Sequence, residues 1–254
     1  MKFLHAMNAG LESKSFSYEV SIIIPVYNGS SLLEKHLTPL LGYLASKPYR
    51  TQVILVDDGS LDSKQTAEYA RKHNLTFAGL DENKGKGAAL RKGFELATGF
   101  IQLFTDADIP FQYQNIDTFV CRLSQSPEQL LIGDRTDPLS VYFKKTSSLR
   151  TMGSNIVVAL VDLFFVKDVR DTQCGLKGMG QKVAQALFKK SRINRFAIDI
   201  ELIYLACKCK IPVKKLPVQL RYNDRSSVNT VRDGWRLLQD LYRIRKIHGK
   251  TKFK

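Results

Sequence analysis

Apolar runs closed by polar clusters alternate with segments of helical spacing along the first half of the chain. VSIIIPVYN (20–28) is rich in β-branched residues and is stopped by Pro25 and Asn28. SSLLEKHLTPLLGYLAS (30–46) follows with leucines at helical spacing, and Pro39 is placed to kink or divide it. TQVILVDDGS (51–60), LTFAGLDE (75–82) and FIQLFTDAD (100–108) read as further strands. Between them SKQTAEYARKH (63–73) and KGAALRKGFELATG (86–99) read as helices, the second with Gly99 near its end.

Nearly continuous apolar strands alternating with helices predict an α/β fold with a mostly parallel sheet covered on both faces. Ligands of such sheets bind beyond the carboxyl ends of the strands. Three polar clusters, PVYN, VDDGS and TDAD, fall at those ends.

The second half is less regular. LLIGDR (130–135) reads as a strand and SNIVVALVDLFF (154–165) as an apolar helix. QKVAQALFKK (181–190) and FAIDIELIYLACKC (196–209) fit helices, and PVKKLPVQLRY (212–222) fits an edge strand limited by its prolines. TVRDGWRLLQDLYRIRKIHG (230–249) predicts a long amphipathic helix with Val231, Trp235, Leu238 and Tyr242 along one face and Leu241 beside them. These elements divide the chain into a catalytic domain over 18–228 and a C-terminal helix with a basic tail over 229–254, packed on it.

The formal net charge of +15 predicts an anionic partner, whether nucleic acid, a phosphorylated substrate or an acidic membrane face. The nucleic-acid reading lacks any RNP, KH, zinc-finger or helix-turn-helix pattern. Cys121, Cys174, Cys207 and Cys209 form no CxxC pair and have no histidine at metal spacing, as expected of thiols in a reducing compartment. The N-terminal residues lack a long apolar stretch, and IVVALVDLFFV (156–166) is too short to span a bilayer and contains Asp162. The expectation is a cytoplasmic protein, peripheral on the cytoplasmic membrane face.

Asp106 and Asp108 carry the sharpest chemical signal. In a continuing strand residues two apart share a face, and two carboxylates held that close raise each other's pKa or call for a cation. Mg²⁺ or Mn²⁺ suits such a pair when a substrate phosphate supplies further oxygens. An exposed polar turn is the other reading. In VDDGS, a carboxylate of Asp57 or Asp58 accepts hydrogen bonds from a base or ribose, or Asp58 serves an Asx-turn. In NKGKGAAL (83–90), Gly85 and Gly87 allow close backbone approach to an anion at a helix N-terminus with Lys84 and Lys86 beside it, or form a solvated basic loop. Asp171, in VRDTQCGLKG (169–178), either orients a substrate hydroxyl or caps the next helix. Asp199 and Glu201 lie on different faces of a predicted helix, one buried and the other solvated. The four histidines fall outside these clusters, and no Ser-His-Asp or HExxH pattern is present.

SIIIPVYN, VILVDDGSLD, NKGKGAALRKGFELATG, LFTDADIP, IGDR, DTQCGLKG, RFAIDIELIYLA and SSVNTVRDGWRLLQDLYRIR occur in that order. Together they resemble the dolichyl-phosphate (polyprenyl-phosphate) β-glucosyltransferases of glycosyltransferase family 2, from about Val20 to Lys246. The resemblance implies a GT-A fold and inverting transfer of glucose from UDP-glucose to a polyprenyl or dolichyl phosphate. It implies that Pro25, Tyr27, Asp57 and Asp58 hold the uridine and that Lys84 and Lys86 approach the diphosphate. Asp106 and Asp108, with Ala107 between them, would hold Mg²⁺ or Mn²⁺. Arg135 and Arg150 would meet the acceptor phosphate, with Asp171 near the sugar or acceptor. The chain departs from the family pattern in Gly29, where relatives carry an acid. It also lacks the Gln that related mannosyltransferases carry after the second aspartate, leaving a third metal position to water or nucleotide. Another nucleotide sugar such as GDP-mannose, or a non-lipid acceptor, is the alternative within the family.

Overall fold

The computed structural model describes residues 18–141, 171–221 and 230–249. Seven strands among them form one sheet: β1 Val20–Val26, β2 Thr51–Asp57, β3 Thr76–Gly79, β4 Ile101–Phe104, β5 Leu130–Asp134, β6 Lys177–Gly180 and β7 Val213–Pro217. Their order is β3-β2-β1-β4-β6-β5-β7. The pairs β1–β2, β1–β4, β2–β3 and β5–β7 are parallel, and β6 runs antiparallel to both of its neighbours. β7 is an edge strand, as its prolines predict.

Continuous apolar strands are explained by a core on each face of the sheet. Val20, Ile22, Ile24 and Val26 of β1 join one cluster with Leu33, Leu37, Phe119 and Leu123, whereas Ile23 joins the other with Ala89, Leu90, Leu187 and Ile203. Val53 and Leu55 separate from Ile54 and Val56 in the same way. The first cluster is covered by α1 (30–45) and α4 (Gln114–Gln125), the second by α3 (Lys86–Leu96), α5 (Gln181–Lys190) and α6 (Ile198–Lys208). α2 (Ser63–Lys72) packs against β2 and β3.

α1 runs from Ser30–Leu32 through a π-helical turn, Leu33–Leu37, into Thr38–Ala45. The wide turn precedes Pro39, which has no N–H to give and whose ring crowds the preceding turn of a regular helix. α4 and β6 have no counterpart in the sequence reading. β6, KGMG, lacks the β-branched residues of a strand because its neighbours fill the space: a Cβ on Gly178 would run into the Leu103 side chain.

The C-terminal helix, α7 (Thr230–His248), forms where expected but presents the opposite face to the protein. Leu241 and Ile244 are buried against Ile193, Ala197 and Ile200. Trp235, Leu238 and Tyr242, which the sequence places along one apolar face, are exposed. Arg195 clamps Asp240 through Nε (3.1 Å) and Nη2 (2.8 Å), and Lys208 Nζ donates to His248 O at 3.0 Å, so polar anchors choose the rotation. The apolar helix predicted over 154–165, Arg150 and the side chain of Val231 lie outside the described residues.

Candidate active site

The topology gathers the sequence-predicted residues on one edge of the sheet. β1, β2 and β4 are parallel, with Val26 opposite Asp57 and Ile23 opposite Phe104, so Tyr27, Asp57–Asp58 and Asp106–Asp108 emerge side by side. β6 is antiparallel, so its start lies there too: Lys177 pairs with Phe104 and with Ile132. Asp171 and Gly175, just before β6, and Arg135, just after β5, therefore reach the same edge.

β4 ends at Phe104, four residues sooner than predicted. Asp106 begins a tight turn instead, closed by Ile109 N–H donating to Asp106 O at 3.1 Å. A turn rather than strand pleat therefore places the two carboxylates. Ile109 is fully buried with φ +42°, a conformation a β-branched residue adopts only under constraint. The Asp106 side chain is 40% exposed, and Lys86 Nζ lies 2.9 Å from its Oδ1. A Cβ on Gly175 would run into Asp106 Oδ2, which explains the glycine of the DTQCG motif.

Lys86 is the counter-charge that the sequence left unassigned. Its ammonium is nearly buried and also meets Asp199 Oδ2 at 3.0 Å, while Asp199 Oδ1 takes Lys177 Nζ at 2.6 Å. Both ammonium groups flank the buried Phe104 ring, 5.7 and 5.6 Å from its centroid. Burial alone would depress the Lys86 pKa, but Asp106 and Asp199 hold it above the usual lysine range. Burial likewise works to raise Asp199, and Lys177 and Lys86 pull it below the usual carboxylate range.

The glycines of the NKGKG loop serve the protein rather than an open anion site, correcting the helix N-terminus reading. Gly85 (φ +99°) and Gly87 admit the backbone of residues 193–195, where a Cβ on either would collide with a carbonyl oxygen. Asn194 O accepts from Gly87 N–H at 2.6 Å and from Ala88 N–H at 3.3 Å, satisfying the first turn of α3. Asp58 accepts from the backbone N–H groups of Lys84 (2.9 Å) and Gly85 (2.8 Å). Burial pushes its carboxyl up despite those donors, with Asp57 adding to the rise. Lys84 remains exposed. Asp57 Oδ1 accepts from Ser60 N–H at 2.9 Å, so the Asx-turn expected of Asp58 is made by Asp57, whose buried Oδ2 has no hydrogen-bond partner among the described residues. Tyr27 is exposed and Pro25 half-buried beside these aspartates.

Asp171 neither meets solvent nor caps a helix. Its Oδ2 accepts from Arg135 N–H (2.8 Å) and Nε (2.7 Å), and its Oδ1 from Nη2 (2.7 Å). Burial works to raise this carboxyl, yet the guanidinium pulls it below the usual range. Arg135 itself stays 38% exposed, so a fixed guanidinium faces the accessible side of the sheet edge.

Residues 21–188 match the model of glycosyl transferase family 2. The chain belongs to that family. A dolichyl-phosphate beta-glucosyltransferase of Drosophila melanogaster is 33% identical over 243 residues, 90% of this chain and 74% of the relative. The human protein of that name is 31% identical over 215 residues, 79% and 66% of the two chains. Glucosyl-3-phosphoglycerate synthase of Mycobacterium tuberculosis, solved with UDP, superposes with TM-score 0.70 at 16% identity, covering 96% of this chain and 83% of that one. The same enzyme solved with Mn²⁺, UDP and glucosyl-3-phosphoglycerate gives TM-score 0.70 at 15% identity, with the same coverage. The fold is thus the GT-A fold, and this protein is a glycosyltransferase.

Two features of this family 2 member lay beyond the sequence reading. Lys177 is fully buried, and the only hint was a lysine among glycines with an unmatched Asp199 downstream. Glu201, one of the pair of which only one was expected to be buried, is also buried: it accepts from Arg192 and Ile193 N–H at 2.9 Å, and the His248 ring lies 2.7 Å away. His248, read as outside every cluster, thus ties α7 to α6. For a divalent metal the donor chemistry fits, with hard carboxylate oxygens on the 40% exposed Asp106 side chain and on the half-buried Asp108. Among the described residues no cluster of three or more His, Cys, Asp or Glu could complete the shell. Diphosphate and water oxygens suit the remaining positions.

Proposed function

We propose that this glycosyltransferase moves glucose from UDP-glucose to the phosphate of a dolichyl or polyprenyl chain, inverting the anomeric centre. The observation that carries the reading is the Arg135–Asp171 clamp on the same sheet edge as Asp106 and Asp108. One edge thereby offers an oriented guanidinium for an anionic acceptor and a carboxylate pair for a nucleotide diphosphate with its cation. The names of relatives spanning most of the chain support the acceptor and the sugar.

On this reading Asp57 Oδ2 and Tyr27 receive the uridine, and Asp58 holds the loop that shapes its pocket. Asp106 and Asp108 hold Mg²⁺ or Mn²⁺, which when bound stabilises the charge growing on the departing diphosphate. Lys84 approaches that diphosphate from the loop, and Ala107 lines the turn beneath it. Arg135 presents the acceptor phosphate, joined by Arg150 from the segment outside the described residues. A phosphate oxygen attacks C1 of glucose, the bond from C1 to the diphosphate breaks, and its electron pair leaves with UDP. The acceptor is already anionic, so no general base is required. Asp171 acts through Arg135, keeping its guanidinium plane fixed.

No helix among the described residues is long and apolar enough to cross a membrane. We propose that the acceptor is reached by peripheral contact with an anionic membrane surface, which the net charge of +15 supports. Four free cysteines support placement on the cytoplasmic side. The test is transfer from radiolabelled UDP-glucose to dolichyl phosphate in detergent with Mn²⁺. A chloroform-soluble glucolipid is expected, and absence of any glycolipid across a panel of nucleotide sugars sinks the reading.

A further inference from the structure

Among the described residues no element covers the outward face of α7, and its chemistry is that of a membrane interface. Trp235 (66% exposed), Leu238 and Tyr242 (69% exposed) form a stripe at helical spacing. With Arg195, Gln239 and Arg243 they border a shallow groove. Phe196, next to Arg195 in the chain, is exposed as well. Burying such a stripe would have stabilised an ordinary soluble domain, yet the helix is rotated to bury Leu241 and Ile244 and leave it out.

Charge selects the occupant. Residues 235–254 contain Arg236, Arg243, Arg245, Lys246, Lys250, Lys252 and Lys254 against a single acid, Asp240. Asp240 is buried and spent on Arg195, so the exposed positions from Trp235 to His248 carry no negative charge. A second copy of this chain would bring the same positive face and be repelled. Aromatic rings suit the headgroup boundary, and flanking Arg and Lys suit anionic headgroups.

We infer that Trp235, Leu238 and Tyr242, flanked by Arg243 and Lys246, form the surface by which this protein lies on an anionic lipid bilayer. The inference rests on the lipid-phosphate reading above and names the face that brings the site to its acceptor. The connection to the site is direct. Arg195, which holds Asp240 of α7, adjoins Asn194, whose carbonyl caps the helix bearing Lys86. One short segment thus fixes α7 relative to the Asp106 turn.

Trp235 is the sole tryptophan of the chain, so its fluorescence reports this face alone. With vesicles of phosphatidylcholine containing about one third phosphatidylserine, its emission should move to shorter wavelength and be quenched by lipids carrying a shallow nitroxide. Pure phosphatidylcholine should give little response. Leu238→Gln with Tyr242→Gln, both exposed and so harmless to folding, should weaken sedimentation with anionic vesicles by roughly tenfold. The same variant should keep wild-type transfer to a short-chain, water-soluble prenyl phosphate and lose transfer only to acceptor embedded in vesicles. Vesicle binding without a change in Trp235 emission overturns the inference, as does a concentration-dependent dimer that buries Trp235 without lipid. Transfer to the soluble acceptor with no vesicle binding sinks the surface and spares the function. Trp235 insertion without transfer to either acceptor does the reverse.

Discussion

Lys86 shows how one residue can be named by sequence while its partners stay hidden. Its position beside glycines pointed to a phosphate, while its ammonium lies on Asp106 and Asp199. Nothing local announces a partner 113 residues away, and pairing across that distance is a property of the fold. The aspartates themselves were legible because strand ends collect ligands. Their roles separate by substitution. Asp108→Ala should abolish transfer, lowering the rate by at least about a hundredfold, and should remove the stabilisation that Mn²⁺ with UDP confers in a thermal shift. The melting temperature without ligand should stay close to wild type, because the half-buried Asp108 side chain belongs to none of the hydrophobic clusters. Gly175→Ala tests the neighbouring packing. The added methyl group must displace the Asp106 carboxylate, and a shift of about an ångström there should slow transfer by about a hundredfold. Wild-type activity in Gly175→Ala would show that Asp106 need not be held where it is.

Strands β1 and β2 and helices α1, α3 and α5 were readable because each is a long apolar or periodic run next to Gly, Pro or Asn, whereas β4, only four residues long, was recognised but overextended into its turn. β6 was not, since its side chains are replaced by those of its neighbours, yet it carries the central charge of the sheet. Lys177 of β6 and Lys86 of α3 both lean on Asp199 of α6, tying three elements through one carboxylate. Asp199→Asn would leave the fully buried Lys177 ammonium without its carboxylate and take one of two carboxylates from Lys86, and should cost about 3–5 kcal/mol of stability, measured by urea unfolding. Acid should do the same reversibly. Asp199 and Asp171 are both held below their usual range, so the unfolded chain takes up their protons at higher pH than the folded chain does. Their stabilisation is complete above the ordinary aspartate pKa of about 3.9 and drains away as pH falls through the lower folded values. The melting temperature should therefore be level down to mildly acid pH and fall steeply below about pH 4. Replacing Asp199 should flatten that fall, and an unchanged acid slope in the variant would remove the pair from the account.

At the scale of the whole molecule, the sequence separated a catalytic domain from a C-terminal helix, and the helix proves to be wired into the site. Which face it buries was not legible. Its two apolar stripes are similar in width, and the choice is made by Arg195–Asp240 and by His248 at Glu201, partners that periodicity does not encode. Asn194 O caps α3 at one end of the 193–195 segment, and Arg195 holds α7 at the other. Loosening α7 should therefore be felt at Lys86. Asp240→Asn removes the charge that holds Arg195 while keeping the shape of the side chain. It should speed backbone hydrogen exchange in α7, in residues 193–195 and at Gly87 and Ala88 together. The KM for the nucleotide sugar should rise several-fold while the global melting temperature falls only slightly, since the paired sheet and both main cores are untouched. If exchange quickens in α7 alone and KM is unchanged, the helix is an appendage whose docking is independent of the loop. If all three segments loosen together, the helix that faces outward is also a structural part of the site.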